Sequence, residues 1–225
     1  MTQHSFSSKT EYFQEEGKVN LRECMRIAFE TAVSRSIDTI VIFTGIGEGP
    51  EIAIKEFRSL APFQDIKLIA VTFPYGQRFK DGKEVVISPE IRSLLEENRV
   101  PLIRAHLPFN PIAAHYRHHG ILGQDLTLIG NALSILGGSM SLCVQAAIMA
   151  CDAGCLDVGD HVISMTSDTA IIVRAAPTDR LLTDFIVREV LCKPLFLTIG
   201  KGEQVYEETA TTIDASPVPE LLPPE

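Results

Sequence analysis

Short, largely apolar runs, the clearest of which is the β-branched run at 39–44, alternate with longer segments of helical periodicity, and this alternation constrains the fold more than any other feature of the sequence. Continuous runs of this kind are typical of strands that are buried on both faces of a parallel sheet. The predicted strands are 39–44, 67–73, 101–105, 161–166 and 169–174. The predicted helices are 21–36, 50–60, a segment that opens at Ser88-Pro89, 126–136, 139–153 and 181–191. The sequence therefore predicts an α/β fold, a three-layer α/β/α domain with a mostly parallel mixed sheet.

The last two predicted strands are joined by Ser167-Asp168 alone. Because a two-residue connection forms a tight hairpin, the second of these strands must run antiparallel to the first. We therefore expect the last core strand to be antiparallel and to lie at an edge of the sheet.

The length of 225 residues suits one domain with short flanking segments. We expect a flexible arm at 1–12, an α/β domain at 13–200 and an acidic, Pro-rich tail at 201–225. The tail contains one Lys and six carboxylates, which is more than half of the net charge of -9. It lacks the apolar surface that would offset the entropy lost on ordering, so we expect disorder beyond Thr211.

Composition excludes several classes of protein. No apolar run approaches the ~18 residues of a membrane span, and the first residues lack a signal-peptide pattern. The acidic balance argues against nucleic acid as a partner, because such affinity comes largely from phosphate neutralisation. The five cysteines are an odd number scattered through apolar segments, which predicts reduced thiols and a cytoplasmic location.

One stretch of the chain departs from the acidic balance. Between Glu97 and Asp125 there is no carboxylate, while Arg99, Arg104, Arg117 and four of the six histidines lie there. A locally cationic segment in an acidic protein suits a small anionic ligand better than a polyanion. In open α/β sheets the ligand crevice lies beyond the carboxyl ends of the strands. The loops to examine are therefore 44–50, 72–76, 106–123 and 166–169.

The glycine-rich segment 45–50 follows the first predicted strand. It does not match a dinucleotide fingerprint, because Pro50 stands at the third glycine, where it would block close strand–helix packing, and no acid ends the second strand. It also lacks the lysine of a P-loop. Two interpretations stay open: Thr44 and backbone N–H groups hold a phosphate, or the glycines serve a tight turn. Glu48 argues against a bare phosphate directly over the loop.

Two further segments admit both structural and functional interpretations. The cluster at 115–119 could be a solvated loop, an anion clamp formed by Arg117 and a histidine, or a metal site, although no acidic ligand lies within it. The turn at 166–169 could supply hydroxyl donors to a ligand or simply follow ordinary turn chemistry. We expect no metal.

Several segments resemble a known family in both content and order. They are Tyr12-Phe13, Gly17-Lys18-Val19-Asn20, 39–50, Val71-Thr72, Gly137-Gly138, 146–154 and 187–194. Together they resemble the stand-alone relatives of the pyruvate kinase C-terminal α/β domain. The resemblance implies a mixed sheet and a phosphate site at Thr44-Gly45-Ile46-Gly47, and some stand-alone relatives carry flavin mononucleotide (FMN). It does not imply kinase activity, because the catalytic barrel is absent.

The leading expectation is a binding domain for a phosphorylated small molecule, with FMN as the named candidate. Thr44, Gly45, Ile46 and Gly47 would face the phosphate, and Arg117 or His118 would close over it. The remainder of the site would be lined by Thr72, Thr166, Ser167 and Asp168.

Two alternatives belong to other functional classes. One is a flavin-dependent or histidine-assisted enzyme, with His106, His115 and His118 as candidate acids or bases. The other is a regulatory scaffold that acts as a homo-oligomer through an apolar helix surface at Leu142–Met149 and the acidic tail.

Overall fold

A computed structural model describes residues 7–79, 81–109 and 124–195 of the chain. The described residues form one seven-stranded sheet, in the order β1-β7-β6-β5-β2-β3-β4. The strands are β1 (Glu11–Phe13), β2 (Thr39–Phe43), β3 (Lys67–Thr72), β4 (Leu102–Arg104), β5 (His161–Met165), β6 (Ala170–Arg174) and β7 (Ile186–Pro194).

Strand direction confirms the predicted mixed sheet. β2 runs parallel to both β3 and β5, and β4 runs parallel to β3. β6 is antiparallel to β5, with Met165 opposite Ala170 across the hairpin, as the two-residue connection predicts. The prediction that this strand lies at an edge is wrong, because β7 pairs antiparallel with β6 and β1 pairs parallel with β7.

The helices cover both faces of the sheet. They are α1 (Leu21–Arg35), α2 (Glu48–Ile52), α3 (Pro89–Glu97), α4 (Gln124–Ser134) and α5 (Met140–Asp152). α2 continues into a π-helical turn at Ala53–Phe57, and single 3-10 turns lie at Lys18–Asn20, Ala61–Phe63 and Thr178–Arg180. At the start of α3 the Ser88 hydroxyl accepts from the Ile91 N–H at 3.3 Å, which confirms the predicted cap.

Two hydrophobic cores lie on opposite faces of the sheet and make the fold three-layered. Ile40 and Ile42 of β2 pack against α1 in one core, while Val41 and Phe43 pack in the core that contains α5. This alternation follows from the period of two along a strand. The largest buried side chain of the first core is Phe29, whose burial contributes roughly 2–3 kcal/mol.

The helix predicted at 181–191 is wrong. A turn at residues 181–184 follows the 3-10 turn, and the chain then extends as β7 from Ile186. The β-branched residues Val187 and Val190 favour a strand, and here β6 and β1 supply hydrogen-bonding partners on both sides. The register shifts between β6 and β7 interrupt the alternation of apolar residues that would have signalled a strand.

Two predicted boundaries also move. Glu11 and Tyr12, which the sequence places in a flexible arm, belong to β1, and the Thr10 hydroxyl donates to the Val190 carbonyl at 2.8 Å. α2 begins at Glu48, two residues before Pro50. A proline is tolerated there because the first turn of a helix has no internal acceptors for its N–H groups. The predicted tail, 201–225, lies outside the described residues.

The cysteines behave as small core residues. All five are free, four of them are buried, and only Cys155 is exposed. Burial raises the pKa of the Cys24 and Cys143 thiols well above the usual range, because it disfavours the thiolate. In the described part of the chain, every helix is too short or too polar to cross a bilayer.

Candidate functional site

Three polar residues lie side by side where neighbouring parallel strands end. Thr44 directly follows β2, Thr72 ends β3 and Arg104 ends β4. Thr72 is the register partner of Arg104, and the Thr44 N–H donates to the Val71 carbonyl at 2.8 Å. The sheet therefore forms a row, Thr44–Thr72–Arg104, which we call the carboxyl-edge row.

The three side chains share one face of the sheet. Ile42, Ala70 and Leu102, each two residues earlier on the same strands, belong to or pack against the core that contains α1. Because side chains repeat with a period of two, the carboxyl-edge row continues that face. Its residues therefore lie where the covering helices meet the end of the sheet.

Hydroxyl groups of the row contact the glycine-rich loop. The Thr44 hydroxyl oxygen accepts from the Gly47 N–H at 2.9 Å, and the Thr72 hydroxyl donates to the Gly45 carbonyl at 3.4 Å. Both threonines are buried. A hydroxyl has one donor proton and two acceptor sites, so Thr44 keeps its proton for another acceptor. The Thr72 contact is long for an O–H···O bond and is readily exchanged for a better acceptor.

Backbone geometry explains the glycines of this loop. Gly47 has a φ of +94°, and a Cβ there would lie 2.7 Å from the Ile91 Cγ2 atom. At Gly45 a Cβ would lie 2.9 Å from the ring of Phe79. Ile46, between them, is 39% exposed. The loop thus needs glycine for its own fold, whether or not it also binds a ligand.

A third glycine corrects one inference from the sequence. A Cβ on Gly49 would approach the Ile42 Cγ2 atom to 3.0 Å, and both Gly49 and Pro50 are buried. Close strand–helix packing is therefore achieved at Gly49, and Pro50 does not prevent it.

The charge of Glu48 is balanced by a residue far away in sequence. Lys18 Nζ lies 2.6 Å from Glu48 Oε2 at the start of α2. An exposed ion pair of this kind contributes only ~0–1 kcal/mol to stability. The ion pair matters for the electrostatics of the site, because the positive charge of Lys18 offsets the negative charge of Glu48, which would otherwise repel an anion near the loop.

Arg104 is the residue of this edge that the sequence-based site omitted. Its side chain is partly buried, and the Nη2 atom is fully buried with no hydrogen-bond partner among the described residues. No carboxylate of the described chain lies within ion-pair distance of it. The sequence contained a signal, since Arg104 is the next-to-last residue of the predicted strand 101–105 and lies inside the acid-free stretch.

The turn at 166–169 reaches the same sheet edge, because Met165 of β5 pairs with Ile42 of β2. In this turn the Asp168 carboxylate is hydrogen-bonded to other groups of the protein. Asp168 Oδ2 accepts from the Gly17 N–H at 2.7 Å, and Oδ1 accepts from the hydroxyls of Thr169 at 2.9 Å and Thr166 at 3.3 Å. These contacts favour the structural interpretation of Asp168. The neighbouring Ser167 is partly exposed.

The remaining predicted residues fall into two groups. His115, Arg117 and His118 lie outside the described residues. His106, two positions after Arg104, is exposed. In the described part of the chain no three His, Cys, Asp or Glu side chains are grouped so that they could hold a metal ion.

The apolar surface predicted for oligomer contacts is not a surface. All seven residues of α5 from Cys143 to Met149 are buried, and Leu142 packs against the same core. Even Gln145 is buried, and its side-chain oxygen accepts from the Phe109 N–H at 3.0 Å. The prediction of an exposed face here is wrong, because the helix packs against the sheet through these residues.

A polar groove lies at the opposite end of the sheet. Its volume is about 710 Å³, and it is lined by residues at the starts of strands, among them Thr39, Lys67 and His161. Asp38 lines it as well, and a hydrogen bond from Thr39 together with the Lys67 ammonium lowers the pKa of its carboxyl. None of the predicted site residues that the structure describes borders this groove.

The chain matches none of the protein-family models with which it was compared. Its resemblance to the pyruvate kinase C-terminal domain therefore stays a prediction.

Proposed function

We propose that the protein binds a small phosphorylated molecule at the carboxyl ends of β2 and β3. The observation that carries this proposal is the pair of buried hydroxyls, Thr44 and Thr72, on adjacent strand ends beneath a glycine-rich loop. Hydroxyl and backbone N–H groups are the neutral donors that phosphate oxygens accept from in proteins. The open crevice of a parallel sheet lies at this end of the strands.

Local charge supports the same ligand class. Lys18 offsets Glu48 at the start of α2, so a phosphate near the loop would not face an unpaired carboxylate. FMN is the named candidate, on the resemblance to stand-alone relatives that carry it.

The first experiment is the visible absorption spectrum of the protein purified without added ligand. Flavin bands that persist through gel filtration would support FMN. Titration with FMN, followed by quenching of flavin fluorescence, then gives the affinity. A colourless protein that quenches no added FMN and binds no inorganic phosphate in calorimetry would refute the proposal.

Matched variants locate the site. In Thr44→Val and Thr72→Val each change removes one hydroxyl and keeps the side-chain shape, and Thr39→Val is the control, since Thr39 is buried at the other end of β2. A hydrogen bond to a charged group contributes ~1.5–3 kcal/mol, so each site variant is expected to weaken FMN about tenfold or more. Equal affinities in all three variants would place the ligand elsewhere.

We also propose a reducing, cytoplasmic location and self-association of the chain. The five free cysteines support the location, because secreted domains usually oxidise such residues. Fractionation of cells tests the first proposal, and light scattering across a range of protein concentrations tests the second.

A further inference from the structure

We propose that Arg104 is the residue that makes the site selective for a phosphorylated ligand over its unphosphorylated counterpart. This inference rests on the proposed function and adds to it the charged contact that the hydroxyls and the glycine-rich loop cannot provide. It starts from one anomaly, a buried guanidinium nitrogen that has no acceptor among the described residues.

The position of Arg104 places the anomaly inside the proposed site. Thr72 and Arg104 are register partners on β3 and β4, and neighbouring strands lie about 4.8 Å apart. Thr44 continues the same row on β2. One ligand group of a few ångströms can therefore contact the guanidinium and a hydroxyl together.

The chemistry of arginine explains why an acceptor is required. A guanidinium stays protonated throughout the accessible pH range, so it cannot relieve burial by losing its proton. A buried donor without a partner is costly, and such groups in native proteins have a functional or structural explanation. An oxyanion that reaches Nη2 would supply the acceptor and the opposite charge at once.

The surrounding charges leave Arg104 available for a ligand. The segment from Val100 to Phe109 has no acidic residue, and Glu48 on the neighbouring loop is paired with Lys18. On the covering helix α3, Glu90 is exposed, and hydrogen bonding by Ser88 lowers the pKa of its carboxyl. Neither carboxylate forms an ion pair with Arg104, whose positive charge therefore stays available to a ligand.

The geometry favours a phosphate over a carboxylate. A phosphate monoester presents three terminal oxygens, which is enough for one contact to Arg104 and one to each threonine hydroxyl. A carboxylate presents only two oxygens in one plane, and an unphosphorylated ligand presents no charge. The loss of Arg104 should therefore reduce selectivity as well as affinity.

The experiment compares FMN with riboflavin, which has the same ring system and lacks the phosphate. Dissociation constants for both are measured by fluorescence quenching in the wild-type protein and in Arg104→Gln, Arg104→Lys and Arg99→Gln. Arg99 is the matched control, because it is exposed, lies in the same acid-free stretch and borders the groove at the opposite edge.

We expect Arg104→Gln to lower the FMN-to-riboflavin affinity ratio at least tenfold while the riboflavin affinity stays the same. Arg104→Lys should keep part of the ratio, because it retains the charge without the planar fork. Arg99→Gln should behave as wild type. If Arg104→Gln does not fold, as judged by thermal unfolding, the FMN-to-riboflavin affinity ratio of Arg104→Lys is the test. A ratio equal to that of the wild-type protein would then overturn the inference.

Two negative results are distinguishable. If the wild-type protein binds FMN but folded Arg104→Gln keeps the full ratio, the inference about Arg104 is wrong and the proposed function stands. If the wild-type protein binds neither FMN, riboflavin nor inorganic phosphate, the proposed function fails, and the inference fails with it.

Discussion

Replacement of Asp168 by Asn tests whether the turn at 166–169 holds the fold together or lines the ligand. Asp168 is 5% exposed, and its carboxylate accepts three hydrogen bonds, from the Gly17 N–H and the hydroxyls of Thr166 and Thr169. Asn keeps the shape of the side chain but turns one acceptor oxygen into a donor NH2 group. Whichever way the amide is oriented, that group faces an existing donor.

The structure predicts which orientation is less costly. The Gly17 N–H cannot be reversed, whereas hydroxyls can rotate, so the amide oxygen should stay on Gly17 and the NH2 should face the threonines. Thr169 Oγ1 already accepts from the Ser139 N–H at 2.9 Å. When the NH2 group replaces Asp168 Oδ1, the hydroxyl proton of Thr169 loses the oxygen to which it donates. Two charge-assisted bonds are weakened, each worth ~1.5–3 kcal/mol, against some relief from removing a buried charge.

We therefore expect Asp168→Asn to lower the free energy of unfolding by about 2–4 kcal/mol. For a chain of this size that corresponds to a fall in Tm of about 4–16 °C. Urea unfolding followed by circular dichroism measures the change, and Asp65→Asn is the control because Asp65 is exposed. Unchanged or increased stability of Asp168→Asn would refute the reasoning, and altered FMN affinity of the folded variant would support a ligand-lining role instead.

Three further predictions follow from single contacts. Gly47→Ala should lower the free energy of unfolding by about 2–4 kcal/mol in urea, because the new Cβ clashes with Ile91 in addition to the cost of a positive φ. Gly76→Ala is the control and should cost only ~1 kcal/mol, because Gly76 also has a positive φ but nothing lies within 4 Å of the new Cβ. Equal losses of stability in the two variants would contradict this prediction. In the native protein a thiol reagent should modify Cys155 rapidly and the buried thiols slowly, and Cys155→Ser should abolish the rapid phase. The lowered pKa of Asp38 means that its stabilising contribution is complete above the ordinary pKa of about 3.9 and is lost as the pH falls through the folded value. The stability difference between wild type and Asp38→Asn should therefore shrink towards low pH; a constant difference in acid unfolding titrations would rule this out.

The parts of the fold that depend on local chemistry could be predicted from the sequence. The central strands β2, β3 and β5 are short, largely apolar runs that contain β-branched residues, and Ser88-Pro89 has the residue types that start a helix. The hairpin between β5 and β6 follows from a connection too short for anything else. These elements contain their own signals within a few residues.

The parts that depend on distant partners could not be predicted. β7 has a helix-like spacing of apolar residues and becomes a strand because β6 and β1 flank it, and β1 is only three residues long. The candidate site shows the same division. The sequence predicts that Thr44 and Thr72 lie at strand ends. The burial of Arg104 Nη2 and the hydrogen bond from the Gly17 N–H to Asp168 arise only from tertiary packing and could not be predicted.

The pairing of β1 with β7 has a consequence for the order in which the chain folds. Thr10 and Val190, which are joined by a hydrogen bond beside that pairing, are separated by 180 positions in sequence. During synthesis the first strand must therefore wait for almost the whole domain to emerge before it can dock. Until β1 docks, one side of the completed β7 is an unpaired strand edge, and a refolding chain can mispair there.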